Sequence, residues 1–531
     1  MKTYSKRFIG PLLFALFANH AVAAENMSTH HHTFASYLDV GYDQVLRPQF
    51  HFSSRKNWLN DPNGMVYYDG EWHMFFQHVA IANNTGPKSW GSAVSTDLIH
   101  WEQLPHAIVP YPCVKPDESS NEHTIWSGSA VVDVHNALGK QQGDVKTLYA
   151  IFTATHRSAD KKSGFFQSAA YSTDKGRTWT KINGGKPVID HQIGYSLGQR
   201  DPRIFHYAPG NYYVVIMMVG GKERAVRLWK STDLMNWEII GDIPNKAAEC
   251  IDMYPLAVDG DKDHLKWVIA NAGTRYEIGD FDGRKWSGSG TSFRFDYGDS
   301  YYAAQVFNQA PEGRVVHIGW LHSKQAGYRP FLEAGMPFTQ QMSIPAEITL
   351  RTTPDGVRMF RNPVKEIERL YAKTVCFNNL SVRELNTKLA ALHPELIDLT
   401  IEFERTENLT LNLRGQEIHY NAARQEFNFT NHARVEGEKA GMKNRPPAKQ
   451  KPYKDNGLRT LPAPTENERV KLRVLIDRAS LELFANDGQA AASFVVVPAE
   501  NNRTLSIRAN GAQKINSLVI NELKSAWKKG N

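Results

Sequence analysis

Three times in the first half of this chain the same short pattern returns. Ala93-Val94-Ser95-Thr96-Asp97 leads to Trp101, Ala170-Tyr171-Ser172-Thr173-Asp174 leads to Trp179, and Trp229-Lys230-Ser231-Thr232-Asp233 leads to Trp237. Each is a short apolar run, a polar turn, and a Trp that opens the next run. A looser version runs Tyr276-Glu277-Ile278-Gly279, Asp282-Gly283, Trp286, and Met65 to Tyr68, Asp69-Gly70, Glu71 to Phe76 reads as a further hairpin. Ser-Thr-Asp and Asp-Gly at such places are hairpin-turn chemistry. A lone hairpin cannot bury its own faces, whereas small antiparallel sheets stacked radially bury both faces and leave few edges. No segment before about residue 350 carries a sustained helical period with caps. The pattern predicts an all-β propeller. A large β-sandwich has similar turn signals, and the recurrence of Trp favours the propeller.

The chain has 531 residues, too long for one ordinary core. Thr353-Pro354-Asp355-Gly356 reads as a turn, and Pro363 to Leu370 as a short helix or extended connection, so a linker is expected over 353–370. Beyond it Leu399 to Phe403, Leu409 to Leu413, Val470 to Ile476, Leu481 to Phe484 and Ala492 to Val497 alternate or run apolar, and Asn486-Asp487-Gly488 is a hairpin turn. These predict a second all-β unit, a sandwich over 371–531, after a propeller over 47–352.

Lys2, Lys6 and Arg7 precede an apolar run from Phe8 to Phe17, and Ala21, Ala23 and Ala24 follow. This is the layout of a secretory signal over 1–24, with a leader over 25–46, and it predicts an exported protein, periplasmic or extracellular. The apolar run is too short to span a bilayer, and no other run is long enough. Cys113, Cys250 and Cys376 allow at most one disulfide, so core packing must supply the stability. The formal net charge of +7 is mild for this size and suggests no nucleic-acid partner. Most of the local excess lies in a Pro-bearing basic stretch over 439–459, read as a solvated loop. Oligomeric state is open on the sequence.

Three acidic motifs stand in order along the expected propeller. Lys56-Asn57-Trp58-Leu59-Asn60-Asp61-Pro62-Asn63-Gly64 comes first, Arg200-Asp201-Pro202 second, and Glu249-Cys250-Ile251-Asp252 third. In isolation Asp61 and Asp201 read as turn formers and Glu249 as a surface charge. Taken together they suit glycosidic bond cleavage, which needs one ionised carboxylate to attack or stabilise the anomeric carbon and one protonated carboxyl for the leaving oxygen. Asp61 is the nucleophile candidate, because Pro62 biases it toward extended backbone and Asn60 and Asn63 can donate to it. Glu249 is the acid/base candidate, with apolar neighbours expected to raise its pKa by desolvation. Cys250 as a nucleophile is the weaker idea, since no His partner is evident.

The three motifs resemble the acidic signatures of glycoside hydrolase family 32, the invertase, inulinase and levanase group. Trp90-Gly91-Ser92-Ala93-Val94-Ser95, Trp126-Ser127-Gly128-Ser129, Tyr301-Tyr302-Ala303-Ala304-Gln305, Gly319-Trp320 and Ile476-Asp477 through Asn486-Asp487-Gly488 follow in the family's order. The resemblance implies a five-bladed β-propeller followed by a β-sandwich and a retaining, secreted β-fructosidase acting on levan, inulin or sucrose. It implies that Asp201 holds sugar hydroxyls and stabilises the transition state, and that Trp58, Asn60, Gln77, Trp90, Trp126, Ser127, Arg200 and Trp320 position the sugar. No metal and no cofactor is implied. A Trp expected between Gln77 and Trp90 is missing, and Ala248, Ile251 and Ala346 replace a common Trp, Pro and Arg. The rival readings are a non-catalytic fructan-binding propeller and a related arabinosidase or xylosidase-type propeller glycosidase.

Overall fold

The Ser-Thr-Asp repeat is one turn used three times. In the computed structural model, strands Ser89–Ser95, Ser163–Ser172 and Ala225–Ser231 all end on the Ser of the repeat. The Ser hydroxyl donates to the Asp two residues on, at 3.2, 2.7 and 2.9 Å. The Asp in turn accepts backbone N–H groups of the turn, such as His100 N at 2.8 Å and Asn236 N at 2.8 Å, and the next strand starts directly after the Trp. Asp282 does the same work in the looser copy, accepting from Lys285 N at 2.7 Å.

The structure describes residues 34–527 apart from 84–85, 115–121, 158–162, 191–197, 221–224, 245, 247–248, 323–328, 444–454, 466 and 510–512. The signal stretch, most of the basic insertion and Ala247-Ala248 lie outside the described residues.

Each repeat closes the third and fourth strands of an antiparallel meander. The first meander is Trp58–Tyr68, Glu71–Val79, Ser89–Ser95 and Glu102–Ile108; the second is Ile125–Asp133, Thr147–Arg157, Ser163–Ser172 and Thr180–Lys181; the third is Arg200–Tyr207, Tyr212–Val219, Ala225–Ser231 and Glu238–Ile243. A ten-stranded sheet holds two more: Ile251–Val258 through Trp286–Gly288, and Tyr301–Val306, Val316–Leu321, Ala346–Thr353 and Gly356–Pro363. These two are joined at a single parallel pair, Val258 and Leu350. The leading strands Trp58–Tyr68, Ile125–Asp133, Arg200–Tyr207, Ile251–Val258 and Tyr301–Val306 touch in cyclic order, the last returning to the first.

Four of these leading strands slip register near their starts, between Leu59 and Pro62, Ile125 and Gly128, Arg200 and Arg203, and Tyr302 and Gln305. A bulge bends a strand and re-aims the side chains at it. Asp61, Trp126, Ser127 and Asp201 all sit at such slips.

The expected linker is largely sheet. Gly356–Pro363 pairs along its length with Ala346–Thr353, and Lys365–Leu370 is a short 3-10 helix. The turn read at Thr353 to Gly356 is the hairpin that joins these two strands.

The C-terminal unit is two antiparallel sheets. One holds six strands from Tyr371–Ser381 to Ala490–Val495, the other five from Leu458–Pro462 to Leu505–Ala509. Leu399, Ile401, Phe403, Leu472 and Phe494 of the first sheet point inward and meet Leu411 and Phe427 of the second, as period-2 patterning demands. Helix Val382–Leu389 is an addition that the sequence reading did not contain. Its signal was present, since Ser381 and Glu384 form a reciprocal capping box.

The two units share an apolar cluster in which Phe50, Phe52 and Phe76 meet Phe484, Leu523 and Trp527. Buried in the same junction, His51 Nδ1 lies 2.9 Å from Asp477 Oδ2 and Nε2 lies 3.1 Å from Glu482 Oε2. Burial opposes a charge on this imidazole, but the two carboxylates outweigh it and raise its pKa to about 9.

Candidate active site

Asp61 lies on the first bulge with its carboxylate fully engaged. Asn60 Nδ2 donates to Oδ1 at 3.0 Å, and Ser127 Oγ donates to Oδ2 at 2.5 Å. Gln77 Nε2 reaches Oδ2 at 3.4 Å and also donates to Ser127 Oγ, while its own carbonyl accepts from Asn60 at 2.9 Å. Asn60, Gln77 and Ser127 are buried, so they hold Asp61 and leave the open side of the pocket to others.

Asp201, 5% exposed, sits on the third sheet with φ of 61°, a conformation that is strained for a residue with a Cβ. Its backbone N–H donates to Thr153 Oγ1 at 2.9 Å, and its Oδ2 accepts from Cys250 N at 3.1 Å. Burial pushes its carboxyl up to about 7; Arg200 opposes the rise, and Asp61 and Glu249 add to it. Cys250, also at positive φ of 50°, places its Sγ 3.5 Å from Asp61 Oδ2 and 3.8 Å from Asp201 Oδ2. The thiol thus links two of the acids. Burial first, then the surrounding carboxylates, push its own pKa well above the usual thiol range, so it is no nucleophile.

Glu249, next in chain to Cys250, has a side chain 39% exposed at the mouth of the cluster. Arg200 Nη2 donates to its Oε2 at 2.7 Å, and the Tyr302 hydroxyl donates to Oε1. Arg200 Nε is also 3.5 Å from Asp201 Oδ2, so one guanidinium spans both acids. The expectation that desolvation would raise the Glu249 pKa is not met. Burial does push upward, but the donors on Tyr302 and Arg200 outweigh it and hold the carboxyl below its ordinary value. Neutral apolar neighbours in sequence did not disclose those two long-range donors.

Trp58 and Trp320 meet edge to face at 6.0 Å between ring centres, and Trp126 packs on Phe165 at 4.9 Å. All three are part-exposed around the pocket. Trp90 is different. It is 0% exposed, and its indole N–H donates to the Trp126 carbonyl at 2.9 Å. The expectation that Trp90 contacts sugar is therefore corrected: its strand, Ser89–Ser95, is buried along its whole length, and there Trp90 fixes the backbone under Trp126. Asp252, named in the third motif, is likewise structural, 2.7 Å from Arg203 Nε and accepting from Val306 N at 2.7 Å.

Residues 51–363 match the family model of the glycosyl hydrolases family 32 N-terminal domain, and residues 366–522 that of the family's C-terminal domain. The chain belongs to glycosyl hydrolase family 32. Within the family it is 33% identical to the levanase of Bacillus subtilis over 515 residues, covering 92% of this chain and 72% of the levanase. It is 27% identical to an extracellular exo-inulinase of Aspergillus niger, covering 92% of this chain and 96% of that one. The crystal structure of exo-inulinase from Aspergillus awamori superposes with a TM-score of 0.76 at 25% identity, over 92% of this chain and 100% of the other.

This family 32 site also holds residues that the sequence reading passed over or did not place. Tyr302 appeared only as part of a motif, and its role as a donor to Glu249 needs a contact across 53 positions. Lys88 was not singled out at all, yet its Nζ donates to Asn60 Oδ1 at 3.2 Å. Neither has a local signal, because each meets the site only through folding.

Proposed function

We propose that this chain releases fructose from β-fructofuranosides by double displacement, with Asp61 as nucleophile, Glu249 as general acid and then base, and Asp201 as the group that holds sugar hydroxyls. The observation that carries the reading is the single cluster formed by acids from three different sheets, with Cys250 between Asp61 and Asp201 and Arg200 between Asp201 and Glu249. Asp61 attacks the anomeric carbon as Glu249 gives its proton to the leaving oxygen; water, deprotonated by Glu249, then attacks the fructosyl–Asp61 ester and frees the carboxylate. Asp61 fits the first role because hydrogen bonds from Asn60, Ser127 and Gln77 fix its carboxylate in one orientation. Glu249 fits the second because its side chain stays 39% exposed, within reach of a leaving group and of water. Entry of a leaving-group oxygen beside it displaces Arg200 or Tyr302 and raises its proton affinity.

Trp58, Trp126, Trp320 and Arg200 line the sugar, and Asn60, Gln77 and Ser127 act through Asp61. The levanase and exo-inulinase relatives make levan and inulin the substrates of first interest, with sucrose beside them. The ring of leading strands supports a five-bladed propeller ending near residue 363, with the sandwich following from 371. The basic, then apolar, then small-residue N-terminus supports export.

Fructose release from levan, inulin and sucrose by the wild type, Asp61→Ala and Glu249→Ala tests the reading. Both variants are expected to lose activity by roughly a thousandfold or more. Undiminished release by either would remove its residue from the mechanism. Fructose alone at the earliest times marks exo attack, and early oligomers mark endo attack.

A further inference from the structure

Asn60 Oδ1 takes two hydrogen bonds, from Trp58 Nε1 at 3.1 Å and from Lys88 Nζ at 3.2 Å. Its Nδ2 spends both protons, on Asp61 Oδ1 at 3.0 Å and Gln77 Oε1 at 2.9 Å. A side-chain amide has two nearly isosteric orientations, and only its partners choose between them. Turned over, this amide would present a carbonyl to the Asp61 carboxylate and an NH2 to an ammonium. From the other side the Trp58 indole N–H and the Lys88 ammonium together make that orientation untenable, and Lys88 is the charged one of the two.

Lys88 is itself held in place. Its backbone carbonyl accepts from Ile125 N at 2.9 Å, which ties it to the second meander, and its ammonium lies 5.8 Å from the centre of the Trp126 ring. Among the described residues no carboxylate is ion-paired with it, so its charge is not spent elsewhere. Asp61 is the acid that faces it; Asp201, Arg200 and Glu249 join Asp61 from the third and fourth sheets.

We propose that Lys88 is a positioning residue of the reaction centre, locking Asn60 against Asp61 and placing a cation on the nucleophile's side of the site. The proposal rests on Asp61 being the nucleophile. It also assigns a task to the region where the family's expected Trp is missing. Burial lowers the pKa of this ammonium, with Asp61 opposing, so its charge is lost at a lower pH than that of an ordinary Lys. As it is lost, the Asn60 clamp loosens, and kcat/KM, already falling as Glu249 loses its proton, falls more steeply.

The test is the pH profile of kcat and kcat/KM on sucrose and inulin for the wild type, Lys88→Met and Lys88→Arg, with melting curves beside it. Met keeps the apolar stem on Trp126 and removes the charge. Lys88→Met is expected to lose roughly ten- to a hundredfold in kcat/KM, mainly in kcat, with its melting temperature unchanged. Lys88→Arg is expected to restore most of the activity and to move the second, steeper fall to higher pH while the Glu249 limb stays in place. A Lys88→Met enzyme with the wild-type rate and profile overturns the role of Lys88 alone, provided Asp61→Ala is inactive. An active Asp61→Ala enzyme overturns the nucleophile assignment and the role of Lys88 with it.

Discussion

Arg200 Nη2 donates to Glu249 Oε2 at 2.7 Å, and this contact holds the acid/base candidate in its ionised form before substrate arrives. A general acid must carry a proton at the moment of leaving-group departure. In the proposed role Glu249 has to gain its proton on the way to the reaction, against the two donors that lower its pKa.

Tyr302→Phe is expected to show this in the pH dependence. The Tyr302 hydroxyl donates to ionised Glu249 and so favours the carboxylate. Without it the Glu249 pKa rises, the protonated form persists to higher pH, and the alkaline limb of kcat/KM moves upward. A limb that stays in place, or moves down, would show that Tyr302 does not govern Glu249.

His51→Gln is expected to change the pH dependence of stability and not of catalysis. The His51 pKa rises from 6.5 to about 9 on folding, so the imidazolium between Asp477 and Glu482 stabilises the fold fully below pH 6.5, and that contribution is lost as pH climbs through 9. The wild-type melting temperature should fall between about pH 7 and 9.5. The variant should lack that fall and be less stable at pH 6 by about 3–5 kcal/mol, the usual cost of leaving buried charge without its partner. Thermal melts of both proteins across pH 5–10 provide the check.

Gly128→Ala is expected to damage both stability and activity. A Cβ there would lie 2.1 Å from the Ile151 carbonyl and 2.6 Å from Phe152 Cα, backbone atoms of the neighbouring strand that cannot swing aside. The strands must part, at about 1–3 kcal/mol. Ser127, one residue away, must then move off Asp61 Oδ2. Urea melts and kcat on sucrose measure the two effects, and a normal kcat at reduced stability would separate Gly128 from the site.

Much of this molecule was legible locally. The strands around Leu399, Leu409, Val470, Leu481 and Ala492 stand close to where alternation placed them. The three Ser-Thr-Asp turns are single hydrogen-bonded devices within a few residues, so the sequence displays them whole. Trp90 was read as a sugar contact from its motif alone; its strand is covered on both faces by neighbours that only folding brings there. Lys88 and the Glu249 partners were out of reach because nothing within ten positions of either hints at the contact.

The amino-acid sequence by itself determined the all-β character, the recurring hairpins and the three acidic motifs, since turn chemistry and period-2 burial depend on neighbours in the chain. Only the tertiary structure decided that Asp61, Asp201 and Glu249 share one cluster, and that burial raises Asp201 while Tyr302 and Arg200 lower Glu249. Charge states follow from desolvation and from donors a few ångströms away. Those surroundings exist only once distant strands have closed around a common centre.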